Sequence, residues 1–351
     1  MKKLLLLLFL GFTLVGFSQT TVITDANFEQ ALIDLGIDTA PIDGSVPTAN
    51  ISGVTILDVK NKNISYLTGI EDFTALTYLR CSENQLTSLD VNNNTALNYL
   101  YCYNNQLESL NLSNNTALIR LHCENNQLTS SLDLSNNTAL TELVCRSNQL
   151  TSLDMSNNTA LNYLDCRFNQ LTSLNVSNNI SLTVLACANN QLTSLDVSNN
   201  TALTYLDCDS NQLESLDVRN ENNINFTDFD STNNPNLTCI YVDAADWSTD
   251  NWTNIDATST FVNDEAACGV LSLEDNAFEL NVTIHPNPTD NYLFIEGNKN
   301  PISISIYNLL GKEVLSINNT KNINVQALPS GVYVIRISDG VRQTNMKFIK
   351  N

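Results

Sequence analysis

Apolar and polar residues alternate along most of this chain in a pattern that returns every 21 residues. The unit reads L-T-Y-L-x-C-x-x-N-Q-L-T-S-L-D-V-S-N-N-T-A. Self-similarity at such a period is typical of a solenoid, in which each unit buries its apolar side against its neighbours. The seven full copies, called coils 1 to 7 below, begin at Leu76, Leu97, Leu118, Leu140, Leu161, Leu182 and Leu203.

Each coil divides into two similar halves, L-x-x-L-x-C-x-x-N-Q and L-x-x-L-x-V-x-x-N-x-A. Alternate apolar positions followed by an Asn predict a short strand in each half. The intervening S-N-N-T-A is typical of a turn, and no segment between the strands has helical apolar spacing. The pattern therefore predicts a mainly β solenoid with short strands on two opposite sides and little helix.

One Asn and one Cys recur in the first half of every coil. The Asn row is interpreted as facing inward, where the side chains bond backbone groups of the turn that would otherwise be buried unpaired. The Cys row has the spacing of the coil and no C-x-x-C pair, so it is interpreted as buried free thiols rather than a metal site or disulfides. Two cysteines, Cys239 and Cys268, fall outside the row, and in an exported protein they are candidates for a disulfide.

The repeated L-x-x-L-x-C-x-x-N-Q-L motif resembles the bacterial leucine-rich repeats of 21 residues, which have a nested two-part unit and Cys in the first strand. The resemblance implies a right-handed solenoid. A weaker copy precedes coil 1, with Lys62 where the pattern has Asn, and coil 3 carries an extra serine, Ser130 or Ser131.

A solenoid needs polar-faced caps at its ends. Residues 25–36 predict a helix that starts at Asp25, stops at Gly36 and places Phe28, Leu32 and Leu35 on one apolar face. At the other end, Trp247 and Trp252 are expected to cover the last coil; a platform for a ligand is the alternative.

The two termini carry export signals. A basic start followed by a short apolar run, too short to span a membrane, predicts a secretory signal peptide, and no later run is long enough to cross a bilayer. From Val282 onward, alternating β-branched and aromatic residues separated by Gly, Pro and Asn predict a small antiparallel sandwich with tight turns at Gly311 and Gly331.

This last segment contains P-N-P-T-D-N-x-L-x-I, Y-N-L-L-G-K-E-V and L-P-S-G-V-Y-V-I-R-I in that order. It resembles the C-terminal sorting domain of the type IX secretion system of gram-negative bacteria. The resemblance implies that residues 282–351 engage that machinery, and that the protein is secreted or held at the outer cell surface. The predicted segments are a signal peptide (1–19), an N-terminal helical cap (20–53), leucine-rich repeats (54–234), a C-terminal cap (235–268), a linker (269–281) and the sorting domain (282–351).

The charge distribution and the absence of known catalytic motifs narrow the range of functions that the sequence allows. Residues 20–281 carry 33 acidic and 7 basic side chains, whereas residues 282–351 carry 4 acidic and 7 basic ones. So acidic a solenoid is a poor partner for nucleic acid, which needs clustered Lys and Arg. The sequence has two His residues and no nucleotide, zinc-protease or nucleophile-elbow motif, so we expect no enzyme activity, no metal and no cofactor.

A comparison of the seven coils suggests where a ligand binds. The second half hardly changes between coils, whereas the outward positions of the first half vary and are rich in Tyr and Arg, the residues enriched at interface hot spots. Binding of a protein or glycan there is the leading hypothesis; unselected drift of duplicated repeats, in a structural spacer or surface-matrix component, is the alternative. The candidate residues are Tyr78, Arg80, Tyr99, Tyr101, Tyr103, Arg120, His122, Glu124, Arg146, Tyr163, Arg167 and Tyr205.

Overall fold

The structure is a computed structural model, and the chain separates into two units, 1–265 and 266–351. Described residues are 19–129, 131–265, 267–268, 282–296, 303–318, 320–338 and 343–351. The predicted signal peptide, apart from Gln19, and the predicted linker lie outside the described residues, as does Ser130. Within the described residues, each helix is too short or too polar to cross a membrane.

The first unit begins with a cap built around one helix, Ala26–Asp34. As predicted, Asp25 is its N-cap: Oδ1 accepts hydrogen bonds from the backbone N–H groups of Asn27 and Phe28, at 2.8 and 3.1 Å. Its second oxygen accepts from two N–H groups of the chain preceding coil 1, which ties the helix to the stack. The prediction for Leu35 was wrong, because the helix ends one residue earlier and this side chain is 49% exposed. Two short antiparallel strands, Thr20–Val22 and Ser45–Pro47, and a helical turn, Thr48–Ile51, complete the cap.

The first half of each coil contributes one three-residue strand to a parallel, in-register sheet. Nine such strands pair in the described part of the chain. In-register pairing places equivalent residues of successive coils side by side at about 4.8 Å. The strands are Ile56–Asp58, Tyr78–Arg80, Tyr99–Tyr101, Arg120–His122, Glu142–Val144, Tyr163–Asp165, Val184–Ala186, Tyr205–Asp207 and Asp228–Asp230.

The opposite side is less regular than the prediction of strands in every coil. A continuous parallel ladder forms only at its C-terminal end, and earlier coils show an isolated bridge between Asp154 and Asn175. A shallow open groove lined by Ser131 and Ser152 lies on this side. The paired strands are Ser194–Asp196, Ser215–Asp217, Cys239–Tyr241 and Thr260–Val262.

The interior holds the repeated Leu, Val and Cys side chains in one continuous core, as the sequence predicts. In coil 1, Leu79, Cys81 and Val91 have no exposed surface. The seven Cys of the row are buried and free, whereas Cys239 and Cys268 are both disulfide-bonded. Burial raises the pKa of Cys81 to about 12 and raises the pKa of the other six row thiols as well.

These thiols are expected to resist alkylation in the folded protein, because only an accessible thiolate is a good nucleophile. Native protein treated with iodoacetamide and analysed by mass spectrometry should carry no label on the seven row cysteines. The same protein in guanidinium chloride should gain seven labels. Rapid labelling of the native protein would contradict the inward orientation of the row.

The predicted Asn row also faces inward and connects adjacent coils. Asn105 is typical: its Nδ2 donates to the carbonyls of Cys81 and Cys102 at 3.1 and 3.0 Å, and its Oδ1 accepts from the N–H of Leu86 at 3.0 Å. A second Asn row, in the turn of the second half, was not predicted. Its members are fully buried and donate to carbonyls of the preceding coil: Asn94, Asn115, Asn137, Asn158, Asn179 and Asn200.

An aromatic cluster covers the C-terminal end of the first unit. The ring of Trp252 stacks on Phe229 with centroids 4.2 Å apart and lies 5.7 Å from Phe261. Trp247, on the helix Ala245–Asn251, meets Trp252 edge to face at 5.9 Å. Trp252 is only 6% exposed, so it serves as the expected cover rather than as an open platform.

The second unit consists of antiparallel strands in two sheets around its own apolar core. Gly311 adopts a left-handed φ of 74° in a tight turn, as predicted, whereas Gly331 begins a strand instead of forming a turn. One sheet contains Thr283–His285, Tyr292–Glu296 and Asn322–Asn324; the other contains Ser303–Asn308, Glu313–Asn318, Gly331–Ser338 and Gln343–Lys350.

Candidate binding surface

The outward side of the nine-stranded sheet forms a continuous surface, called the strand face below. Each coil contributes its third, fifth and seventh residues, because the residues between them, Leu and Cys, point inward. All twelve predicted site residues occupy these three rows, so the register of the sheet brings them onto one surface. Most of them are half-buried, because long side chains from neighbouring coils lie against one another.

Aromatic side chains dominate the strand face in coils 1 to 3. The ring of Tyr78 lies 6.2 Å from that of Tyr99 and 5.4 Å from that of Tyr101. Tyr101 in turn meets the ring of His122 edge to face at 4.9 Å. Such pairs favour fixed ring orientations, so this part of the face is ordered before any ligand arrives.

Charged groups border the tyrosines on the N-terminal side. Arg80 donates a hydrogen bond from Nη2 to the hydroxyl of Tyr103 at 2.9 Å, and its Nη1 lies 3.7 Å from Oδ2 of Asp58. Lys60 lies 6.0 Å from the centroid of the Tyr103 ring and forms an ion pair with Glu83 at 2.8 Å. Asp58 and Lys60 precede the full copies, where the repeat is weak, so the sequence comparison missed them.

Two charged networks follow in coils 3 to 7. One carboxylate oxygen of Glu142 lies 3.1 Å from Nε of Arg120, and the other lies 2.8 Å from Nε2 of His122. The guanidinium of Arg167 donates from Nε and Nη2 to the two oxygens of Asp165, at 2.9 and 2.8 Å. Two parallel hydrogen bonds between a guanidinium and a carboxylate make a strong, directional ion pair.

The strand face becomes acidic towards its C-terminal end. Arg167 Nη1 lies 3.5 Å from Oδ2 of Asp207, and burial together with the neighbouring Asp209 raises the pKa of Asp207 to about 6. Asp228 and Asp230 occupy the next strand along. The strand face therefore presents tyrosine and arginine at one end and carboxylates at the other.

Glu124 departs from the sequence-based expectation that it shares a solvent-exposed side with His122. It is 8% exposed, and its Oε2 atom is shielded from water without a hydrogen-bond partner among the described residues. Burial raises the pKa of Glu124, against the opposing effect of a backbone hydrogen bond and of the nearby His122 and Arg146. The side chain alternates outward as predicted, but its neighbours on the face cover it.

Elsewhere the described residues offer little for chemistry. One groove on the opposite side, with a volume of about 490 Å³, is open and lined by Ser, Asp, Asn and Leu. No group of three or more His, Cys, Asp or Glu side chains in the described ranges is arranged to hold a metal ion.

Two family matches agree with the two units. Residues 283–351 match the Secretion system C-terminal sorting domain family, and residues 180–221 match the Leucine Rich repeats (2 copies) family. The chain matches no curated protein sequence.

Several solved structures resemble the chain. The functional domain of InlJ from Listeria monocytogenes, which includes a cysteine ladder, is 24% identical with a TM-score of 0.47, over 95% of this chain and 99% of that one. Internalin C2 of Listeria monocytogenes is 19% identical with a TM-score of 0.47, over 70% and 98%. Internalin InlF of the same species is 23% identical with a TM-score of 0.38, over 63% and 82%. None of these likenesses bears on what this chain binds.

Proposed function

We propose that this chain, which carries leucine-rich repeats and a C-terminal secretion sorting domain, is an exported recognition protein that binds a protein or glycan ligand through its strand face. The sorting domain indicates export to the outer surface of a gram-negative bacterium. At the outer surface, a rigid, ligand-binding solenoid has access to partners on other cells or on its own cell.

One observation supports the proposal most directly: residues from six coils form a single ordered surface rich in Tyr and Arg. Tyr78, Tyr99, Tyr101 and His122 hold one another in place through ring contacts, and Arg80 fixes Tyr103. Rigid aromatic and arginine side chains lose little conformational entropy on binding, which is why they carry much of the energy at interfaces.

A structural spacer without a ligand remains the second candidate. The observation that favours it is the uniform second half of the coils, which matches a stack selected only for its length and rigidity. A spacer requires no ordered cluster of tyrosines on one side, so the two functions differ in what substitutions on the strand face should do.

The test uses the chain from Thr20 onward in three forms: unchanged, with Tyr101, Tyr103 and Arg146 replaced by alanine, and with Gln106, Gln127 and Gln149 replaced by alanine. The three glutamines are exposed and make no side-chain hydrogen bond within the described residues, so they provide a matched control. Adsorption to intact bacterial and host cells is measured by flow cytometry.

Loss of hot-spot residues is expected to weaken adsorption on the order of 100-fold, with the glutamine control unchanged. Circular dichroism verifies that all three forms are folded. Equal adsorption of the three forms would favour the spacer, as would an unchanged protein that adsorbs to no surface.

A further inference from the structure

We propose that the ligand of the strand face is a protein, anchored on an apolar band that crosses the face at coils 5 and 6. The accessible part of this band consists of Phe168, Ile180 and Val184. The proposal rests on the binding function above, selects a protein over a glycan as the ligand, and adds the chemistry of the surface that fits. It starts from two exposed side chains that depart from the repeat.

Phe168 occupies a turn position where the other coils have polar residues. Its φ of 54° lies in the left-handed region, which a bulky side chain adopts only at a cost, and the residue is 50% exposed. A phenyl ring here therefore strains the backbone and also leaves apolar surface unburied. The equivalent residues, which all have a positive φ too, are Glu83, Asn104, Asn125, Ser147, Asn189 and Ser210.

Ile180 is the second departure, and it precedes the strand face rather than following it. The residue is 59% exposed and stands four positions before Val184, the first outward residue of coil 6. An isoleucine that mostly contacts water contributes little to the stability of the stack. The equivalent residues of coils 1 to 4 and 6 are Thr95, Thr116, Thr138, Thr159 and Thr201.

Coil 6 continues the apolar character across the strand face. Its three outward residues, Val184, Ala186 and Ala188, are all aliphatic, whereas each of the other six coils has at most one aliphatic residue in these rows. The N–H of Phe168 donates to the carbonyl of Ala188 at 3.0 Å, which joins the turn that bears the phenyl ring to coil 6. The two alanines are buried, so a ligand reaches Phe168, Ile180 and the partly exposed Val184.

Carboxylates border this band on its C-terminal side. Asp209, in coil 7, and Asp228, in the next strand, are at least partly exposed and form no ion pair within the described residues. The nearby Arg167 is occupied by Asp165 and Asp207. A partner with basic side chains beside an apolar centre fits such a border, and an apolar centre with a polar rim is the usual anatomy of a protein–protein interface.

Other occupants fit less well. A glycan is held largely by hydrogen bonds to its hydroxyl groups, which isoleucine, valine and phenylalanine side chains cannot form. A second copy of this chain would bring another acidic solenoid to the surface, because residues 20–281 carry 33 acidic and 7 basic side chains. A different protein, with an apolar protrusion and a basic border, suits both the aliphatic side chains and the carboxylates.

The test uses three acetylated and amidated peptides as probes: Lys-Leu-Phe-Leu-Lys, Lys-Ser-Ser-Ser-Lys and Glu-Leu-Phe-Leu-Glu. The proteins are the chain from Thr20 onward, a variant with Phe168→Asn and Ile180→Thr, called the restored variant because it has the residues of the repeat, and an Ile42→Thr control. Ile42 is 46% exposed in the N-terminal cap, so the control removes an exposed aliphatic side chain outside coils 5 and 6. Binding is followed by chemical-shift changes of the peptides at about 0.15 M ionic strength, which screens general attraction.

The unchanged protein is expected to prefer the basic apolar peptide over each of the other two by about tenfold. The restored variant should lose the preference over the serine peptide, and Ile42→Thr should keep it. Because asparagine adopts a positive φ more readily than phenylalanine, the restored variant should unfold at the same or a higher temperature, so misfolding does not explain the loss. A preference that is absent from the unchanged protein, that survives in the restored variant or that disappears in Ile42→Thr would overturn the proposal.

Pretreated cells distinguish a protein ligand from a glycan. Protease treatment of the cells, followed by removal of the protease, should abolish adsorption of the unchanged protein. Periodate, which cleaves sugar rings at adjacent hydroxyl groups, should leave adsorption intact. Adsorption that is lost to periodate but resists protease would identify a glycan ligand and overturn the inference, while the binding function would stand.

The cell-adsorption assay also separates failure of this inference from failure of the proposed function. The restored variant is expected to adsorb about 30-fold more weakly than the unchanged protein, as suits the loss of hot-spot residues. If it adsorbs normally while the Tyr101, Tyr103 and Arg146 variant does not, the strand face binds without the apolar band and the inference is wrong. If neither set of changes affects adsorption, the binding function itself is wrong.

Discussion

Replacing Asn148 with alanine is expected to lower the free energy of unfolding by about 2–4 kcal/mol. The side chain accepts a hydrogen bond from the N–H of Leu128 at 3.1 Å and donates to the carbonyls of Cys123 and Cys145 at 3.1 and 3.0 Å. Each carbonyl also accepts from another Asn of the row, so it keeps one partner. The N–H of Leu128 loses the Asn oxygen and is left buried, which is the larger part of the cost. Urea unfolding followed by circular dichroism measures the change.

The control is the next residue along the chain. Gln149 is exposed and has no side-chain hydrogen bond in the described structure, so Gln149→Ala should change the unfolding free energy by less than about 0.5 kcal/mol. Similar effects for the two substitutions would mean that the Asn row does not hold adjacent coils together.

Replacing Trp252 with alanine is expected to destabilise the C-terminal end of the solenoid by about 3–5 kcal/mol. The indole fills the space between Phe226, Phe229 and Phe261, with ring centroids 5.1, 4.2 and 5.7 Å away. Removing it leaves a cavity that the neighbouring rings cannot fill, and it exposes the last coil to water. Because a solenoid is stabilised by contacts between adjacent coils, the damage should begin at this end. Hydrogen exchange should therefore accelerate first in coil 7 and only later in coil 1.

The other tryptophan provides the comparison. Trp247 is only partly buried and contacts the cluster through the edge of one ring, so Trp247→Ala should cost less than half as much. If the two substitutions were equally mild, the aromatic cluster would not be acting as a cap.

Much of the solenoid follows from the repeat alone. A Leu, a Cys and an Asn at fixed positions in seven coils leave one orientation in which all three rows are buried and bonded. The second Asn row illustrates the limit. The two-half repeat aligns the second asparagine of the turn S-N-N-T-A with the Asn of the first half, but it does not indicate that this side chain donates to carbonyls of the preceding coil.

On the strand face, too, the sequence predicted some features and left others to the structure. Alternation along a strand placed all twelve candidate residues on one side, because successive side chains point to opposite faces. It did not reveal that Glu124 is covered, that Asp165 pairs with Arg167 more closely than with Arg146, or that Asp58 and Lys60 extend the surface. Those facts depend on which long side chains, within a coil and across the spacing of about 4.8 Å between coils, come close enough to pair or to cover one another.

The sequence by itself determined the stacked fold, its buried rows, its two-unit organisation and the side on which Tyr and Arg accumulate. These features follow from periodicity, which acts identically in every coil and needs no knowledge of distant contacts. Only the tertiary structure decided which charges are paired, where the second side forms a regular ladder and which carboxylate of the strand face is buried. These features depend on distances of a few ångströms between particular groups, several of which lie about 20 residues apart in the chain, and no local pattern encodes such distances.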